Sequence, residues 1–153
     1  FDSKDYKILT TLQHNSRTTA SEIADLVKMS IPAVTERIKK LKDNGTVESY
    51  TAKLNAKELG FDLAAYIAVV SSSSEHYEEI IQKSIKHPAV LECHSVTGDG
   101  SHMLKVRVRN SSELEKLLRD IQSWPGVIRT HTSVIMSTYK EGFKLDLISL
   151  NNT

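Results

Sequence analysis

The chain has 153 residues, 39% of them hydrophobic and 25% charged, with 20 Lys and Arg against 19 Asp and Glu for a net charge of +1. That balance excludes an intrinsically disordered chain and leaves room for one domain, or two small ones, with real cores. The longest apolar run, Leu63–Val70, is too short to span a bilayer, no charged-then-apolar export signal opens the chain, and the single Cys93 cannot form an internal disulfide, so a cytoplasmic, non-membrane protein is expected.

Charge is unevenly placed. Up to Gly60 there are ten basic against eight acidic residues, which leaves +2 there and −1 in the remainder. Attraction to phosphate scales with the number of basic contacts, so a single copy of the first part is expected to bind nucleic acid weakly and several copies together more strongly.

Asp2–Gln13 carries Tyr6, Ile8, Leu9 and Leu12 at helical spacing and ends at the polar cluster His14, Asn15, Ser16. Thr19 followed by Glu22 is a capping box, opening a second helix with Ala20, Ile23, Ala24 and Val27 on one face. A third helix is predicted over Ser30–Asp43. Ser30 caps it, Pro32 sits where no internal N–H bond is lost, and Gly45 stands ready for the left-handed residue beyond its end. On this helix Val34, Ile38 and Leu41 fall on one stripe, while Pro32, Thr35, Glu36 and Lys39 face the other way. Arg37, Lys39, Lys40 and Lys42 outnumber Glu36 and Asp43, so the helix is net positive.

Three short helices with a tight joint between the second and third form a helix-turn-helix unit, although a plain three-helix bundle shares the pattern. In the DNA-binding reading, the third helix enters a major groove of double-stranded DNA. Pro32, Thr35, Glu36 and Lys39 then face base edges, with Ser30, Ile31 and Arg37 near the DNA backbone or thymine methyls.

Residues 47–55 are polar and β-prone, and 56–60 read as one helical turn. Together, 47–61 form a hinge between a DNA-binding domain over 1–46 and a second domain over 62–153. The second domain reads as strand Leu63–Val70, helix Glu75–Lys86, strands Val90–Thr97 and His102–Arg109, helix Ser112–Ser123 and strand Val127–Thr138. This βαββαβ order repeats internally: an offset of 37 pairs Pro88 with Pro125, Val90 with Val127, His94 with His131, and Ile67 with Leu104. A βαβ unit used twice gives a ferredoxin-like sandwich, so the whole chain is of α+β class with a winged-helix-like first domain. The first strand is apolar at odd and even positions alike, whereas the helices cover one face of the sheet. A second subunit packed on the other face is the simplest cover, which predicts a homodimer.

No catalytic residues and no metal ligands are assigned. There is no Gly-x-Ser-x-Gly, phosphate loop or close ligand spacing. Cys93 and His94 are adjacent on a strand and so point to opposite faces, and His94 and His131 lack the spacing of a metal site. The chain is therefore not read as an enzyme.

With these segments in hand, the chain resembles the Lrp/AsnC family, the leucine-responsive and asparagine-type feast/famine transcription regulators of bacteria and archaea. Residues 1–55 resemble the family's helix-turn-helix, and VTGDGSHMLKVRV with WPGVIRTHTSVIMSTYKEG resembles its effector and oligomerisation domain. The resemblance implies dimers through the βαββαβ domain, assembly into octamers in many members, and an amino acid or related metabolite as small-molecule effector bound between dimers. Two departures stand out. Lys28 occupies a turn position where the family commonly has glycine. The loop Thr97, Gly98, Asp99, Gly100, Ser101, His102, the candidate effector site, carries Ser101 and His102 where the resemblance implies an aspartate and an aromatic, with Asp99 as a substitute two residues earlier. A simple hairpin turn explains the same glycines. If the loop senses nothing, the protein is an architectural DNA-binding protein.

Overall fold

The computed structural model describes residues 1–152; Thr153, the last residue of the expected 62–153 domain, lies outside them. The chain folds into two compact units, one made of Phe1–Lys53 with the chain from Lys140 onward, the other of Leu54–Tyr139.

In the first unit, α1 (Ser3–His14) starts at a capping box in which Asp2 accepts from the Asp5 N–H and Asp5 accepts from the Asp2 N–H. Helix α2 (Ala20–Val27) starts at the expected Thr19–Glu22 box, and α3 (Ile31–Asp43) at Ser30, whose hydroxyl accepts from the Ala33 N–H. Ile8, Leu9, Leu12, Ile23, Ala24, Val27, Val34 and Leu41 form the core, with Ile38 packed against it. The predicted apolar stripe of α3 is the one that is buried.

Residues 47–55 form no strand among the described residues. Strand preference largely reflects packing beside a neighbouring strand, and no strand among the described residues pairs with this stretch. Residues 56–60 close as a hydrogen-bonded turn rather than a helix, with the Phe61 N–H reaching the Ala56 carbonyl.

The second unit contains β1 (Leu63–Ser71), α4 (Tyr77–Lys86, entered through a 3₁₀ turn at Ser74–His76), β2 (Val90–Ser95), β3 (His102–Val108), α5 (Ser111–Gln122) and β4 (Val127–Val134). The sheet is antiparallel in the order β2-β3-β1-β4, the arrangement of a ferredoxin-like sandwich. The internal repeat is visible in the register: Ile67 and Leu104 are equivalent by sequence and lie directly opposite each other at the buried centre of β1 and β3. Beneath α4 and α5 the core gathers Ala65, Ile67, Val69, Ile80, Leu104, Val106, Leu117, Ile121 and Trp124.

Most element ends lie within two residues of the sequence reading, β2 ending at Ser95 short of the predicted Thr97 and α4 starting at Tyr77 after the predicted Glu75, while β4 and the tail depart further. Strand β4 ends at Val134, short of the predicted Thr138, after one further hydrogen bond from the Ile135 N–H to the Ala64 carbonyl. Beyond Tyr139 the tail belongs to the helical unit. The Gln13 side chain donates to the Leu145 carbonyl at 3.0 Å and accepts from the Leu145 N–H at 2.7 Å. Leu147 packs against the helical core, and Lys53 pairs with Glu141 at 3.4 Å. Phe143, Leu145 and Leu147 alternate with polar neighbours, but that pattern names no partner, and the sequence reading places the tail in the second domain.

The open face of the sheet is less apolar than β1 alone suggests. Ala64, Tyr66, Ala68 and Val70 lie on it. Opposite them the register sets Arg107, Lys105 and Met103 of β3, and Ser133, His131 and Arg129 of β4. Charged neighbours thus border a narrow apolar strip.

Candidate nucleic-acid interface and effector loop

The outward face of α3 is presented as its sequence requires. Ile31, Pro32, Thr35, Glu36 and Lys39 are exposed, as is the capping Ser30 before them, while Val34 and Leu41 on the reverse are buried. Ile31 is half exposed, an apolar side chain at the leading end of a helix whose neighbours are polar. Such a face offers both hydrogen-bonding groups and a surface for a thymine methyl.

Arg37 is placed differently from its companions. It is half-buried, and its Nη1 donates to Asp2 Oδ2 at 2.7 Å, Asp2 Oδ1 at 2.8 Å and Asp5 Oδ1 at 3.1 Å. The Arg37 hydrogen bond, joined by the Asp5 N–H, holds the Asp2 carboxyl down to about 2, and the same pairing raises Arg37 above its ordinary range. The guanidinium expected near the DNA backbone therefore fastens α3 to α1. Lys39 pairs with Asp43 at 2.7 Å, one turn along the exposed surface of α3, and Lys42 donates to the Glu48 carbonyl.

The turn between α2 and α3, where Lys28 stands in place of the family's common glycine, is left-handed. Lys28 has φ 55 and ψ 52, the sole positive φ outside glycine among the described residues. The turn thus keeps the left-handed shape that favours glycine, at a strain of about 1 kcal/mol.

In the second unit the loop from Thr97 to His102 divides in two. Thr97, Gly98 and Asp99 are exposed, and Gly98 has φ +109, a conformation strained for any side chain. Gly100 fits against β1 so closely that a Cβ there would lie 3.1 Å from the Val69 carbonyl oxygen. Ser101 and His102 turn inward. The Ser101 N–H donates to the Val69 carbonyl at 2.9 Å, and its hydroxyl lies 2.8 Å from His102 Nδ1. The His102 ring is buried edge-on to Tyr77 at 4.9 Å between centroids, and burial lowers its pKa. The six candidate effector residues are thus one loop, of which Thr97–Asp99 form the accessible part while the His102 side chain belongs to the core. His94 and His131 occupy equivalent exposed places on the two outer strands, and no metal-binding cluster occurs among the described residues.

Comparison with known proteins agrees with this architecture. Residues 1–48 match the winged helix-turn-helix DNA-binding model, and residues 64–145 match the Lrp/AsnC ligand binding domain. The chain is 33% identical over 146 residues to the HTH-type transcriptional regulator FL11 of Pyrococcus horikoshii, covering 95% of this chain and 96% of that protein. It is 30% identical over 138 residues to the regulator LrpA of Mycobacterium tuberculosis, covering 90% and 91%. Among solved structures, the transcriptional regulator NMB0573 of Neisseria meningitidis, in complex with L-Met, superposes with a TM-score of 0.91 at 30% identity, covering 98% of this chain and 99% of that one. Escherichia coli AsnC superposes at 0.88 with 26% identity, covering 94% and 97%. No helix among the described residues is long and apolar enough to cross a membrane. With both of its units matched, in order, along nearly its whole length, the chain belongs to the Lrp/AsnC family of transcriptional regulators and is not an enzyme.

Proposed function

We propose that this regulator reads double-stranded DNA through the outward face of α3, with Pro32, Thr35, Glu36 and Lys39 at base edges and Ser30 and Ile31 at the backbone or thymine methyls. The observation that carries this reading is the division of α3 itself. One face is sunk in the core by Val34 and Leu41, and the other is exposed in a unit that matches a DNA-binding model. Arg37 serves as the fastening of the helix. With Arg37, Lys39 and Lys42 of α3 already engaged, affinity and specificity come from paired copies, so the working unit is a homodimer joined through the open sheet face around Tyr66 and Ala68, and able to assemble further to an octamer.

An amino acid is the effector, supported by the ligand-binding character of the matched domain and by the L-Met complex of the Neisseria relative. It binds at Thr97–Asp99 and the adjoining Gly100 and Ser101, where Asp99 supplies a carboxylate for an ammonium group. The protein acts in the cytoplasm. Thermal-shift titration against the common amino acids tests the effector reading: one or a few should raise the melting temperature, with the rise reduced in Asp99→Asn. No shift across the set would favour a purely architectural role.

A further inference from the structure

We propose that Lys28 is a DNA phosphate contact, and that the strained turn is retained to aim it. Four observations converge. Lys28 alone among the described non-glycine residues has a positive φ, in a turn whose left-handed shape glycine adopts without strain. Its side chain is exposed, and its ammonium group has no hydrogen-bond or ion-pair partner among the described residues.

It stands two residues before the capping Ser30; on the DNA reading proposed above, on which this inference rests, that end of α3 leads into the groove and the flanking turn meets the phosphate rim. Finally, the cations of α3 itself are largely committed. Arg37 is held by Asp2 and Asp5, Lys39 by Asp43 and Lys42 by the Glu48 carbonyl, which leaves Lys40, further along the helix, as the other unengaged cation from Lys28 to Asp43. A lysine here replaces charge that the recognition helix has spent on its own fastening. The contact is to phosphate and is independent of base sequence.

The test uses the full chain on a long mixed-sequence duplex, so that no operator needs to be known. Wild type, Lys28→Gly, Lys28→Gln and Lys28→Arg are compared by salt-dependent binding and thermal denaturation. Removing one phosphate contact should lower the slope of log affinity against log salt by about 0.9 per bound copy and weaken binding roughly eightfold per copy at 0.1 M salt. Lys28→Gly should do this while melting at a higher temperature than wild type, because strain leaves with the charge. Lys28→Gln should lose the same affinity without gaining stability, and Lys28→Arg should bind as wild type. Wild-type affinity and an unchanged salt slope in Lys28→Gly and Lys28→Gln overturn the proposal.

Discussion

Arg37 Nη1 lies 2.7 Å from Asp2 Oδ2, so the helix proposed to face DNA is tied to the N-cap of α1 by one of its own cations. The pair consumes charge that the sequence offers to phosphate and converts it into a fixed position for α3. Arg37→Ala should therefore lower the melting temperature of the helical unit and weaken DNA binding without changing its salt slope. A slope lowered by about one would instead make Arg37 a phosphate ligand.

The same pair gives an acid dependence. Asp2 is held at about 2 against an ordinary 3.8, so the stability it contributes is complete above that ordinary value and fades as pH falls from about 4 toward 2. Acid titration of the helical unit, followed by circular dichroism, should show Asp2→Asn less stable than wild type at pH 6, with the difference closing toward pH 2.

The tail makes a separable contribution. Gln13 pairs with both backbone groups of Leu145 and Leu147 lies against the helical core, so a chain ended after Tyr139 should melt earlier in its helical unit while the sheet unit is unchanged. Leu147→Ala should cost about 1–2 kcal/mol, below the range for a fully buried leucine because this one is only half-buried. Hydrogen exchange in α1 reads the effect directly.

His102 supplies a second pH dependence, near neutrality. Burial lowers its pKa below the ordinary 6.5, so the unfolded chain takes up the proton first and stability falls as pH drops below about 6.5. The melting temperature of the sheet unit should decline from pH 7.5 to 5.5, and His102→Phe should flatten that part of the profile. An equal decline in the variant would place the titrating group elsewhere.

Assembly is tested on the open sheet face. Sedimentation at micromolar concentration should give a dimer or larger species, and Ala68→Asp, in the middle of the apolar strip of β1, should shift it toward monomer. A monomeric wild type would contradict the homodimer.

The fold was legible because each element carried its own local signal. The Thr19–Glu22 box and the Ser30 cap are short-range patterns, the Ile67–Leu104 pair follows from the 37-residue internal repeat, and the structure realises all three. What escaped the sequence depends on distant partners. Nothing near Arg37 in the chain points to Asp2, and nothing near Leu145 points to Gln13. The inward turn of His102 follows from the register of β3, with 102, 104 and 106 alternating into the core. A loop boundary one residue away reverses it. Residues 47–55 are β-prone in composition, but without a neighbouring strand that preference yields no strand among the described residues.

The outward face of α3 is proposed to read base sequence. Selection of bound duplexes from a random pool, carried out in parallel with wild type and with Thr35→Ala plus Glu36→Ala, tests it most directly. Two half-sites related by two-fold symmetry should emerge for wild type, and the variant, folded and still bound to DNA, should lose or change its preference at particular positions within each half-site. Recovery of the same sequence motif at the same strength by both proteins would contradict the account.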